Sequence, residues 1–277
     1  MKISTFHSEF RKPYIMAILN VTPDSFYDGG LFYGKNNDIE LDLVLKKVDE
    51  LIKSGADIID VGGESTRPGA IPVPIQEELD RVVPVVETIV DRFGAIVSVD
   101  TSCPEVINES ANAGADMIND VRALTRLGAV EAVAKSGLNV CLMHMSGEPK
   151  NMQLKPSYID VVAEVSGFLL DRISVCESAG IQRNKILIDP GFGFGKNLEH
   201  NLMIFRNLTK LSALGFPIVV GLSRKSMIGS ILNKATDDRL FGSIAMAMLA
   251  VQKGAQILRV HDVSATADVL KIMSATE

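Results

Sequence analysis

Apolar positions recur along this chain in two rhythms. Short runs rich in Ile, Val, Leu and Met alternate with longer stretches whose apolar residues return every three or four positions. The short runs have the character of buried parallel strands, and the longer stretches that of amphipathic helices packed over them. The runs number eight: Tyr14–Val21, Asp57–Gly62, Ile96–Asp100, Met117–Asp120, Val140–Met145, Ile186–Asp189, Ile218–Leu222 and Gln256–His261. Among the stretches between them, Ile39–Lys53 and Gln76–Phe93 predict helices. Eight strand-then-helix units predict an α/β fold, a (β/α)8 TIM barrel, with residues 1–277 as a single domain and 1–13 as an extension before the first strand. A doubly wound open sheet is the alternative, but the even spacing of the units favours the barrel.

In such barrels the chemistry gathers at the C-terminal ends of the strands. Those ends are unusually polar here: Asn20, Glu64, Asp100, Asn119 with Asp120, His144, Asp189, Ser223 with Arg224 and Lys225, and Arg259 with His261. Taken singly, each reads most simply as a turn or cap residue. Taken together they converge on one mouth, which caps alone do not explain. Two connections, Thr22–Asn37 and Glu64–Ile75, outrun the about two to six residues usual for such loops. The first carries Asp24, Asp28, Gly29 and Gly30, and the second Thr66, Arg67, Pro68 and Gly69. Both read as lids over the mouth, with a tolerated surface insertion as the plainer alternative.

Composition narrows the partners. With 28 basic against 34 acidic residues and a net charge of −6, there is no overall positive field to hold a nucleic-acid backbone. Cys103, Cys141 and Cys176 are odd in number and form no CxxC pair, against a disulfide framework or zinc knuckle and for a reducing compartment. The opening MKISTFHSEFRKPY is too polar for a signal-peptide core, and no apolar run approaches the ~18 residues of a membrane span. A cytoplasmic protein without membrane or nucleic-acid partners is expected. The stretch Phe241–Val251, FGSIAMAMLAV, is apolar on nearly every face. That predicts a second buried face in a homodimer, the alternative being residues exposed singly.

Beyond composition, the segments NVTPDSF (Asn20–Phe26), DVGGESTRPGA (Asp60–Ala70), VDTS (Val99–Ser102), INDV (Ile118–Val121), MHM (Met143–Met145), IDPGFGFGK (Ile188–Lys196), GLSRKS (Gly221–Ser226) and RVHDV (Arg259–Val263) closely resemble dihydropteroate synthase, in that family's order across nearly the whole chain. The resemblance implies a transferase of folate biosynthesis that condenses 6-hydroxymethyl-7,8-dihydropterin diphosphate with 4-aminobenzoate, giving 7,8-dihydropteroate and diphosphate. By the same analogy diphosphate departs first, the dihydropterin stabilises the positive charge on its exocyclic carbon, and sulfonamides compete with aminobenzoate. Ser146, Glu148 and the pair Ser264–Ala265 depart from the family pattern, at loops and a helix start.

Carried onto these positions, the resemblance places Asp100, Asn119 and Asp189 on the pterin edge, where carboxylates and an amide suit its adjacent N–H donors and ring acceptors. Lys225 donates to the carbonyl side. Ile118, Met143 and Phe194 wall the ring, although Ile118 and Met143 read equally well as barrel core. Arg259 and His261, two apart on one strand and so on one face, neutralise the diphosphate. Asn20 resembles the family's Mg2+ ligand beside it, the ion being held mostly by phosphate and water. Phe26, Thr66, Arg67 and Pro68 resemble residues that fold over aminobenzoate. Ser226 opens a stretch whose helical N–H groups would face the aminobenzoate carboxylate. Lys225, Arg259, His261 and Asp100 form the implied catalytic set, and Arg259→Ala is expected to lose turnover with the fold intact. His7 and His200 read as structural, and His144 is open.

Two other functions share parts of this pattern. A pterin-binding methyltransferase domain would use the same edge groups but neither the diphosphate site nor the aminobenzoate anchor. An inactive pterin-binding paralogue would be expected to lack Asn20, Asp100, Lys225 or Arg259, all present here. The GFGFGK run, Gly191–Lys196, is not a Walker A loop, because the glycine spacing is short and Asn197 follows the lysine.

Overall fold

A computed structural model describes residues 12–22, 32, 39–65, 69–70, 72–147, 152–153 and 156–276. Eight strands, β1 (Tyr14–Asn20), β2 (Ile58–Gly62), β3 (Ile96–Asp100), β4 (Met117–Asp120), β5 (Asn139–Met143), β6 (Ile186–Asp189), β7 (Val219–Val220) and β8 (Ile257–Val260), form one sheet. The order is β6-β5-β4-β3-β2-β1-β8-β7, with every pairing parallel. A parallel bridge between Ile188 and Ile218 joins the two ends, so the sheet nearly closes into a barrel. The predicted strands are all present; β3, β4 and β6 keep their predicted bounds and the others differ at one or both ends.

The helices are α1 (Leu41–Lys53), α2 (Ile75–Phe93), α3 (Pro104–Asn112), α4 (Ala129–Ser136), α5 (Val161–Ser178), α6 (Leu198–Arg206), α7 (Leu208–Ser212), α8 (Ser226–Leu232), α9 (Leu240–Gln252) and α10 (Val263–Thr276). Local sequence explains their ends. In α2, Val82, Val85, Val86 and Ile89 make the buried stripe, and Gly94 at φ 55 ends the helix in a conformation that disfavours a side chain. α3 begins on Pro104, whose missing N–H costs nothing in a first turn. α6 begins with a reciprocal cap: Asn197 accepts from the His200 backbone, and the His200 ring accepts from Asn197. His200 is therefore structural, as expected.

Period-two alternation sorts the strand residues into an outer and an inner set. Outward residues such as Ile59, Val61, Val97, Val99, Ile118 and Val140 join the helices in the main apolar core. Inward, Met16, Ile58, Met117, Cys141, Leu187, Val219 and Ile257 form a separate dry floor, flanked by Tyr14 and Ile96. One inward step closer to the C-terminal face, the same alternation places Ile18, Asp60, Ser98, Asn119, Met143, Asp189, Gly221 and Arg259. The barrel thus changes from apolar to strongly polar within one layer, about 7 Å along the strands.

Candidate active site

Above that polar layer opens a cavity of about 660 Å³, lined among others by Asn20, Asp100, Phe194, Ser223, Lys225, Ser226, Arg259 and His261. Charge at its base is organised by Arg259. Its Nε donates to Asp60 Oδ2 at 2.6 Å, and a terminal nitrogen donates to Asp100 Oδ2 at 2.7 Å. Asp60 Oδ2 also accepts from Asn119 Nδ2 at 3.2 Å. Burial alone would lower the Arg259 pKa, but the Asp60 and Asp100 carboxylates outweigh it and hold the guanidinium above its ordinary value. A guanidinium has five N–H donors, so with two engaged Arg259 retains donors for a further anion at the mouth.

Burial is the main cause of the raised Asp100 carboxyl; Arg259 pulls it down, and Asp60 pushes it up again. Asp189 is raised for the same first reason, against a 2.6 Å bond from the Gly191 N–H. Both carboxyls are almost fully buried, so a partner presenting N–H donors would draw them back toward the charged form.

Lys225 enters from the turn after β7. Arg224 occupies the left-handed region at φ 57, a cost of roughly 1–2 kcal/mol for a residue with a side chain. Its guanidinium grips Asp262 through two bonds, of 2.8 and 2.7 Å, and its N–H donates to Ser243 Oγ at 2.9 Å, which together hold the turn. Lys225, directly after it, donates to the Phe192 carbonyl and stands 4.3 Å from the centre of the Phe194 ring. Burial lowers the Lys225 pKa to about 8, against the pull of Asp189. His261 faces Ser223 Oγ through Nδ1 at 3.1 Å.

These shifts predict a pH profile. If Lys225 works as an ammonium donor to a bound substrate, kcat/KM falls as pH rises through about 8. If Asp100 and Asp189 work as carboxylates, the acid limb lies above the ordinary carboxylate range, since burial raises both. Steady-state kinetics across pH check both limbs, and in Lys225→Met the alkaline limb should vanish along with most of the activity.

The sequence-predicted residues largely meet. Asn20, Asp100, Phe194, Lys225, Ser226, Arg259 and His261 line the cavity, while Asn119, Met143 and Asp189 face the barrel interior beside it. Ser226 does open a helix, the seven-residue α8. Ile118 is a correction: its parity turns it outward into the sheet–helix core, fully buried, so it does not wall the cavity. His144 is resolved as structural, its ring nitrogen 2.9 Å from the Lys196 ammonium and its pKa lowered to about 3 by burial and then by that charge. Phe26, Thr66, Arg67 and Pro68, with Asp24, Asp28, Gly29, Gly30, His7 and Glu148, lie outside the described residues.

Two groups were not singled out from sequence. Asp60 sits in mid-strand, and its signal was a charged residue at the same parity as Ile58 and Gly62 in an otherwise apolar run. Glu64 reads from sequence only as a strand end. It meets Arg122 at 3.2 Å, and Arg122 donates to Ser102 Oγ at 3.1 Å, which braces the base of the second long loop.

The chain's likeness to known proteins agrees with this geometry. A family model described as "Pterin binding enzyme" matches residues 16–261. Dihydropteroate synthase of Escherichia coli (strain K12) is 54% identical over 264 residues, covering 95% of this chain and 92% of that protein. Yersinia pestis dihydropteroate synthase, solved with a sulfonamide drug complex, superposes with a TM-score of 0.92 at 52% identity, covering 97% of this chain and 95% of that one. The Xanthomonas albilineans enzyme, solved with 4-aminobenzoic acid, gives 0.88 at 47%, covering 96% and 94%.

Proposed function

Because the chain belongs to the pterin binding enzymes and, among them, to the dihydropteroate synthases, we propose the following division of labour at its mouth. The reaction joins the amine nitrogen of 4-aminobenzoate to the exocyclic methylene carbon of the dihydropterin. The carbon–oxygen bond to diphosphate breaks, and the amine gives up one proton. One observation carries the assignment: the Asp100 carboxyl lines one cavity with a guanidinium that has donors to spare, and the buried Asn119 and Asp189, suited to a pterin edge, face the barrel interior beside it.

Asp189 and Asn119 take the donors and acceptors of the aminopyrimidinone edge, with Asp100 beside them. Lys225 donates toward the carbonyl side, and Phe194 and Met143 flank the ring. Arg259 and His261 receive the charge that develops on the departing diphosphate, where a preorganised cation counts for most. 4-Aminobenzoate is a neutral amine near pH 7, so it needs placement and exclusion of water more than deprotonation. Ser226, with the lid residues Phe26, Thr66, Arg67 and Pro68, is assigned to it.

Mg2+ fits this set as a mostly hydrated ion. Asn20 offers a neutral oxygen at the mouth, Asp60 and Asp100 are engaged by Arg259, and no caging cluster of three acidic, His or Cys ligands occurs among the described residues. Asn20 would hold the ion, which when bound supplies charge neutralisation to the diphosphate.

A homodimer is the second part of the proposal. α9 buries Ser243, Ala247 and Ala250, yet exposes Phe241 and Leu249, and α8, which meets α9 at Gly242 through Ile228 and Leu232, exposes Ile231 and Leu232. Sedimentation at micromolar concentration should give twice the chain mass, and a monomer would remove this part. Cytoplasmic residence accords with three buried, free cysteines.

The reaction is tested by following diphosphate release and dihydropteroate formation with each component omitted in turn. Product should require both substrates and magnesium; pterin binding without product would reject the assignment.

A further inference from the structure

The turn Gly191–Lys196 brings the Phe194 ring to the cavity, and its Phe192 carbonyl accepts from the Lys225 ammonium. It has no helix or strand of its own. Gly191 at φ 70 and Gly195 at φ 63 let it lie directly on the chain leaving β5, where a Cβ would overlap the carbonyls of His144 and Ser146.

At the centre of that contact is an amine that the chemistry above does not use, its pKa lowered to about 7 by burial against the pull of Asp189. The Lys196 side chain is buried, 3% exposed, and is not part of the cavity lining. Its ammonium meets the carbonyls of Gly191 at 2.9 Å, Phe194 at 3.0 Å and His144 at 3.3 Å, and His144 Nδ1 at 2.9 Å. Two of these acceptors belong to the turn, and two to the residue that follows β5. An ammonium has three N–H donors, so the four acceptors share them; the Gly191 carbonyl also accepts from the Phe194 N–H at 3.1 Å. Burial and then the Lys196 charge keep the His144 ring neutral, which leaves Nδ1 able to accept.

We infer that Lys196 is a positioning residue for the reaction: its ammonium ties the Gly191–Lys196 turn to the end of β5, and so sets the Phe194 ring and the Lys225 ammonium against the pterin. This rests on the reading that the cavity takes a dihydropterin. The turn has other braces, since Asn201 Oδ1 accepts from the Gly193 N–H at 2.8 Å and the Tyr158 hydroxyl donates to the Gly195 carbonyl at 2.8 Å. Loss of Lys196 therefore leaves the turn attached but shifted, and its consequence falls on ligand placement as well as on stability.

The test uses the full chain with Lys196→Met, which keeps an unbranched chain of similar length and removes the donors. Binding of 6-hydroxymethyl-7,8-dihydropterin diphosphate is measured by calorimetry without aminobenzoate, and KM is measured for each substrate. The dissociation constant and KM for the pterin should rise about tenfold, the effect of losing roughly one buried charged hydrogen bond's worth of placement. KM for 4-aminobenzoate should stay within about twofold, a split that loss of stability alone does not produce. His144→Leu removes one acceptor and should raise the same pterin dissociation constant about threefold, which carries the test if Lys196→Met does not fold. Variants that melt earlier but bind pterin like the parent chain would overturn the inference, leaving Lys196 a stabilising residue only. Failure of the parent chain itself to bind the pterin would instead reject the reading beneath it, and the inference with it.

Discussion

Arg259→Ala is expected to lower kcat about a thousandfold, the scale for removing a preorganised donor or cation from a site of developing negative charge. A second loss accompanies it. The sequence alone implied an intact fold, but the guanidinium neutralises Asp60 and Asp100, one 199 and the other 159 residues away along the chain. Without it two buried carboxyls face each other, at a stability cost on the order of 3 kcal/mol. The direction with pH follows from the Asp100 carboxyl, already raised by burial and rising further once its cation is gone. The folded variant then prefers the protonated form, so its stability is present at low pH and is lost as pH climbs through the raised folded value. Thermal melts at mildly acid and mildly alkaline pH, run beside the rate assay, separate the two losses. A variant that turns over normally removes Arg259 from the mechanism; one that melts like the parent at alkaline pH removes its neutralising role.

Asp189→Asn is expected to weaken binding of the dihydropterin substrate about a hundredfold, with a smaller change in kcat at saturation. The substitution keeps the shape, and the amide oxygen can still take the Gly191 N–H that Asp189 Oδ1 holds at 2.6 Å. The other end of the group changes from an acceptor to a donor and meets the pterin's own N–H groups, leaving buried donors unpaired on both sides. Calorimetric titration with the pterin diphosphate reads the change directly. Unaltered affinity would move the pterin edge away from β6.

Sequence rhythm made the barrel legible, because a buried parallel strand cannot hide its apolar composition and a helix packed over it cannot hide its stripe. The mouth was legible for a related reason: polar groups such as Asn119, Asp189 and His261 stand at run ends, where the fold delivers function. Misreadings came where parity matters more than position. Ile118 adjoins Asn119 in sequence, yet one residue turns it to the opposite face of β4. Asp60 escapes a reading of run ends because it lies inside a run. In sequence Lys196 is legible only as part of a glycine-rich string, since its four acceptors are backbone carbonyls and a ring that tertiary folding alone assembles.

The most direct test of the central claim is a crystal structure of the chain with 6-hydroxymethyl-7,8-dihydropterin diphosphate and magnesium. The account predicts the aminopyrimidinone edge on Asp189 and Asn119, Phe194 and Lys225 beside the ring, and the diphosphate on Arg259 and His261. A pterin bound with its edge toward Arg259, or bound outside this cavity, would contradict it.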